Sequence, residues 1–73
     1  MRSLRKETIE HLRKSFPRGC RVELVRMDDP QAPPIGTLGT VIGVDDLGTI
    51  HVNWDNGNCL GVVFGADDCR RID

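Results

Sequence analysis

Seventy-three residues, 38% of them apolar and 29% charged, make one small domain and exclude a larger assembly of cores. Nothing approaches the run of about 18 apolar residues that a membrane-crossing helix needs, and the charged start lacks the apolar core of an export signal, so a cytoplasmic protein is expected. The net charge of −1 hides a split: residues 1–26 carry eight Lys or Arg against three Glu, residues 27–69 carry seven Asp and no Lys or Arg, and residues 70–73 carry two Arg and one Asp, so a basic head and an acidic body can attract each other or face different partners.

Residues 3–15 read as a helix, and residues 1–18 as helix plus linker. Ser3 can cap it. Ile9, Leu12 and Phe16 fall at i, i+3 and i+7, a single narrow apolar stripe, and Glu10 can pair with Lys14. Pro17 ends the segment by pushing its predecessor out of helical geometry, and Gly19 follows. Arg2, Arg5 and Lys6 place the wrong charge at the positive end of the helix dipole. So short a helix is marginal alone and must either dock by its stripe or fray.

Residues 19–73 form the body. Cys20–Met27 reads as a first strand, with Val22 and Leu24 on one face. Asp28-Asp29-Pro30-Gln31-Ala32-Pro33-Pro34 can be neither strand nor helix, because three prolines remove three donors and fix φ; it is a stiff loop that ends at Gly36. Thr37–Asp45 is a second strand, in which Gly39 and Gly43 sit where a curled sheet bends or two backbones approach closely. Asp45-Asp46-Leu47-Gly48 is a turn with Gly48 placed for positive φ. In Thr49–Trp54, a third strand, Ile50, Val52 and Trp54 alternate with polar residues. Asn56-Gly57 predicts a type I′ hairpin turn. Cys59–Val63 is a fourth strand, Phe64–Asp68 suits one turn of 3₁₀ helix, and Cys69–Ile72 is a brief fifth strand. Five short strands with tight turns predict a small SH3-like barrel.

Chemistry is sparse in this pattern. Asp28/Asp29, Asp45/Asp46 and Asp67/Asp68 are adjacent carboxylates, but all lie in turns and none has a partner base. Cys20, Cys59 and Cys69 make no Cys-x-x-Cys pair, so reduced thiols and no metal site are expected. Cys59 and His51 lie on strands that pair across the Asn56-Gly57 hairpin, which makes a Cys–His nucleophile conceivable, with no third group to orient it. We therefore expect no enzyme and no cofactor.

Two binding readings remain. The loop from Asp28 and Asp29 to Ile35 and the turn at Asp45 and Asp46 would flank a groove suited to an unidentified protein or a basic peptide, with Trp54 the only aromatic large enough for an anchor, although its alternation makes it a core residue as well. The alternative is nucleic acid, bound by the basic segment with Arg13, Lys14, Arg18 and Arg21; one tryptophan and no tyrosine leave no stacking row. Self-association through the helix stripe or an uncovered edge is a further reading.

The segments Arg21–Pro30, Gly36-Thr37-Leu38-Gly39-Thr40-Val41, Val44–Gly48 and Trp54-Asp55-Asn56-Gly57 together resemble the bacterial family called domain of unknown function 4314 (DUF4314), over nearly all of residues 9–72. The chain departs from that pattern at Phe64, where a proline is common, and at Cys69, where an aromatic is common. The resemblance implies an SH3-like barrel with no assigned activity, in small proteins or terminal domains often found on phages and conjugative elements. More loosely, the Gly-x-x-Gly-x-Val strand and the Trp-Asp-x-Gly hairpin resemble the peptide-binding Mib/Herc2 domain. The expectation is a non-catalytic interaction module of a mobile element, with nucleic-acid binding as the alternative.

Overall fold

A computed structural model describes residues 5–73; the Ser3 cap lies outside them. Helix α1 spans Lys6–Ser15. Arg5 precedes it in extended geometry with no side-chain cap, while Glu7 in the first turn and Arg13 and Lys14 in the last suit the helix dipole. The helix closes with Phe16 N–H bonded to the Leu12 carbonyl at 2.8 Å, directly before Pro17. Glu10 and Lys14 form no ion pair within 4 Å, since their exposed side chains gain little by being held together.

Five antiparallel strands follow: β1 (Arg21–Arg26), β2 (Leu38–Val44), β3 (Thr49–Trp54), β4 (Val62–Val63) and β5 (Asp68–Arg71), in the spatial order β4-β3-β2-β1-β5. The register sets Val22 opposite Gly39 and Arg71, Val41 opposite Val52, and Ile50 opposite Val62. One face of the curled sheet therefore collects Val22, Leu24, Val41, Ile50, Val52, Trp54, Val62 and Cys69 into the core, with Leu12 from α1 and Cys20 joining them. β2 bends at an irregularity between Val41 and Gly43, where a glycine costs the strand least. At Gly39 the reason for glycine is close approach: a Cβ there would stand 2.6 Å from Val52 Cγ1 and 2.7 Å from Trp54 Cε3.

The sheet is not closed into a barrel, which corrects the SH3-like barrel expected from the strand order. β4 and β5 are its two free edges; they touch, but no ladder joins them. The cause lies in the segment expected to supply a long fourth strand. Asn58 accepts from the Trp54 N–H at 2.8 Å and its amide reaches the Gln31 carbonyl at 2.8 Å, and Leu60 offers its carbonyl to the Trp54 indole N–H at 2.9 Å. The two side-chain bonds, from Asn58 and from the indole, draw residues 58–60 away from regular pairing, and only Val62 and Val63 form a ladder with β3. The expected 3₁₀ turn is instead a tight turn in which the Ala66 and Asp67 N–H groups both bond the Val63 carbonyl, and the Asp67 carboxylate accepts from the Val63 N–H at 3.0 Å. The two edges meet there in a single bridge between Phe64 and Asp67.

Both hairpins share one design. Gly48 N–H bonds the Asp45 carbonyl at 3.1 Å and Asp45 N–H bonds the Thr49 carbonyl at 3.0 Å; Gly57 and Trp54 make the equivalent pair, the second with Asn58. Gly48 and Gly57 have φ of +84° and +92°, and no described residue other than glycine has positive φ. A type I′ turn needs positive φ at both central residues, so the expected type I′ turn at Asn56-Gly57 is corrected to a three-residue loop that ends in a left-handed glycine.

Candidate functional site

The acidic turn after β2 and the basic helix, read in sequence as parts of two rival sites, are joined to each other. Arg13 donates through Nε to the Val44 carbonyl at 3.2 Å and through a terminal nitrogen to Asp46 Oδ1 at 2.8 Å. Asp45 is occupied as well: its Oδ1 accepts the Leu47 and Thr49 N–H groups at 2.9 and 3.0 Å, and its Oδ2 lies 2.8 Å from His51 Nε2. The contact with His51, then the backbone donors, hold the Asp45 carboxyl below the usual carboxylate range. This cluster secures the turn and the helix.

The two expected flanks of the acidic groove stand at opposite ends of β2: the Asp28–Ile35 loop leads into that strand and the Asp45–Asp46 turn leaves it. The loop is ordered by its own bonds, with the Asp29 carboxylate accepting from Gln31 N–H at 2.8 Å and Ala32 N–H closing on the Asp29 carbonyl at 2.9 Å; the Asn58 side chain pins its middle. Asp28 is exposed. Trp54 is 2% exposed, with its indole packed on Gly39, so it supplies core area and no surface anchor.

Of the basic residues expected to meet nucleic acid, Arg21 forks onto Asp55, at 2.9 and 2.6 Å, and also donates to Thr40 Oγ1 at 2.9 Å. The same pairing holds the Asp55 carboxyl low. Lys14 and Arg18 are exposed and are not brought to Arg21 by any described bond, and Arg13 belongs to the acidic turn.

Strand pairing creates a different cluster that the linear sequence conceals. Arg26 at the end of β1 stands opposite Asp68 at the start of β5. Leu24 exchanges hydrogen bonds with Thr37 and Gly36, which brings Ile35 beside the same end of β1. The Val63–Asp67 turn precedes β5 and ends there too. The end of β1 thus carries Val25 and Arg26, with Asp68 opposite and Ile35 nearby; Val25 and Ile35 are 41% and 62% exposed. Phe64, 48% exposed, bridges to Asp67 and follows Val63, which pairs with Thr49 next to the Asp45–Gly48 turn.

Two of the three thiols, Cys20 and Cys69, are buried, and Cys59 is exposed. Cys59 Sγ donates to Asn53 Oδ1 at 3.3 Å while His51 faces Asp45, so the conceivable Cys–His pair is not formed. Burial pushes Cys69 up to about 12 and also raises Cys20, which leaves both protonated near neutral pH. Among the described residues no three His, Cys, Asp or Glu side chains are grouped to hold a metal ion, and no helix is long and apolar enough to cross a membrane.

The family model described as domain of unknown function (DUF4314) matches residues 5–72 of the chain. No curated protein and no solved structure matches it.

Proposed function

We propose, from the premise that the chain belongs to the DUF4314 family, that it is a non-catalytic interaction module binding a protein or peptide. The observation that supports this reading is that the exposed apolar residues Val25, Ile35 and Phe64 belong to segments that also carry Asp28, Asp67 and Asp68, with Arg26 paired to Asp68 and Phe64 bridged to Asp67. A chain that alternates basic and apolar residues complements such a surface: the apolar contacts supply most of the affinity and the charges select the partner. The bacterial cytoplasm and a mobile genetic element are the setting that the family resemblance implies, and they belong to this proposal.

The test is a titration of isotope-labelled protein with short peptides of alternating Arg and Leu, followed by amide shifts. Shifts confined to residues 25–35 and 63–68 are the expected result, and F64A with I35S should reduce affinity by about tenfold. A second titration uses a single-stranded oligonucleotide. Shifts centred on Lys14 and Arg18 that fade steeply with added salt, with no response to the peptides, would replace this reading with nucleic-acid binding.

A further inference from the structure

Helix α1 is attached to the sheet by few and separable contacts. Only Ile9 and Leu12 are buried along it, and only Leu12 reaches the core cluster. Its polar anchors are Arg13, on the Val44 carbonyl and an Asp46 side chain that is 97% exposed, and the Ser15 carbonyl, which a terminal Arg71 nitrogen approaches at 3.5 Å. Its N-terminus has no side-chain cap. The five residues buried most completely, Val22, Leu24, Val41, Val52 and Val62, all come from strands. The connection between them is a ready hinge. Pro17 and Gly19 flank Arg18, Cys20 N–H bonds the Pro17 carbonyl, and from Gly19 onward the chain is tied to β2 by bonds in both directions with Val41, at 2.8 and 2.9 Å.

We propose that α1 is a lid on one end of the core, opening as a unit about residues 16–19 while the five-stranded sheet stays folded. Opening uncovers the Ile9, Leu12 and Phe16 stripe and the part of the core nearest the hinge, where Cys20 is the first buried side chain. The helix packs on β2 and places Leu12 in the core cluster, so it covers the core on that side. Local openings of this kind require less free energy than global unfolding when few apolar contacts hold the segment. The helix alone is too short to persist in water, so the opened segment also loses its backbone protection.

The three thiols make the proposal measurable in the full chain. Cys59 is exposed, Cys20 is buried beside the hinge, and Cys69 is buried in β5 opposite Leu24 of β1. Under native conditions a thiol reagent read by site-resolved mass spectrometry should modify Cys59 first, then Cys20, and Cys69 at least about tenfold more slowly than Cys20. R13A should speed Cys20 by about two- to fivefold, the range of one exposed ion pair, and leave Cys69 unchanged. Hydrogen exchange of the unaltered chain gives a readout that needs no variant: amides of α1 should exchange faster than those of β2 and β3. A common rate for Cys20 and Cys69 would overturn the lid. So would an equal acceleration of both by R13A, or α1 amides protected as strongly as those of β3.

Discussion

Gly39 shows how one missing Cβ sets the position of the largest side chain. The indole of Trp54 and the Val52 methyl occupy the space that any other residue would need. G39A should therefore cost about 1–3 kcal/mol, the range of overpacking in a filled core, and a urea midpoint unchanged from the parent would show that β3 can retreat without cost. Asp45 is the corresponding polar residue. Its folded carboxyl lies below the unfolded value because of His51 and two backbone donors. A depressed folded value means that its contribution is complete above the unfolded carboxylate range and is lost as pH falls through the folded value, below about pH 4. Asp55 and Asp73, held low by Arg21 and Arg71, act in the same direction. D45N should lower stability at neutral pH and flatten the acid limb. Denaturant midpoints measured from neutral to acid pH check both effects, and an acid limb as steep as that of the parent would remove Asp45 from the account.

At the scale of elements, alternation and turn chemistry make the first three strands and both hairpins legible. β3 has the bounds its alternation predicts, Thr49–Trp54, because Ile50, Val52 and Trp54 can be buried together only on one face of an extended chain. The turn type at Asn56-Gly57 was not legible, because an Asn-Gly pair fits both a type I′ turn and a type I turn followed by a left-handed glycine; the bond from Trp54 N–H to the Asn58 carbonyl decides for the second. The two glycine classes are separable by experiment. G57A places a Cβ at a φ of +92°, whereas Gly43 has ordinary φ and open space around its Cα. G57A should lower stability by about 1–2 kcal/mol, and G43A should change it by less than about 0.5 kcal/mol. Equal midpoints for the two variants would contradict the assignment. The fourth strand failed in sequence for a tertiary reason: Leu60 has the character of a strand residue, but its carbonyl is taken by an indole from a neighbouring strand.

For the whole molecule, the core is one cluster that contains the sole tryptophan, so Trp54 emission reports on all of it. Native emission should be blue-shifted and resist quenching by acrylamide, and should shift red in the main unfolding transition; a quenchable indole in the folded protein would contradict the core described above. The divided charge of the chain also resolves at this scale. The basic head neutralises the acidic body through Arg13 with Asp46 and Arg21 with Asp55. By itself the sequence determined the mainly-β character, one N-terminal helix, the hairpins and the burial of Trp54, since period-2 alternation, glycine placement and proline breaks act over a few residues. It also carried the family, through motifs spread along the chain. Tertiary structure alone decided that the sheet stays open and that the helix covers one end of the core. It also decided that Arg26 stands opposite Asp68 and that Phe64 meets Asp67. These outcomes depend on hydrogen bonds and contacts between residues tens of positions apart, and no local pattern encodes which of several suitable partners a carbonyl or a carboxylate will take.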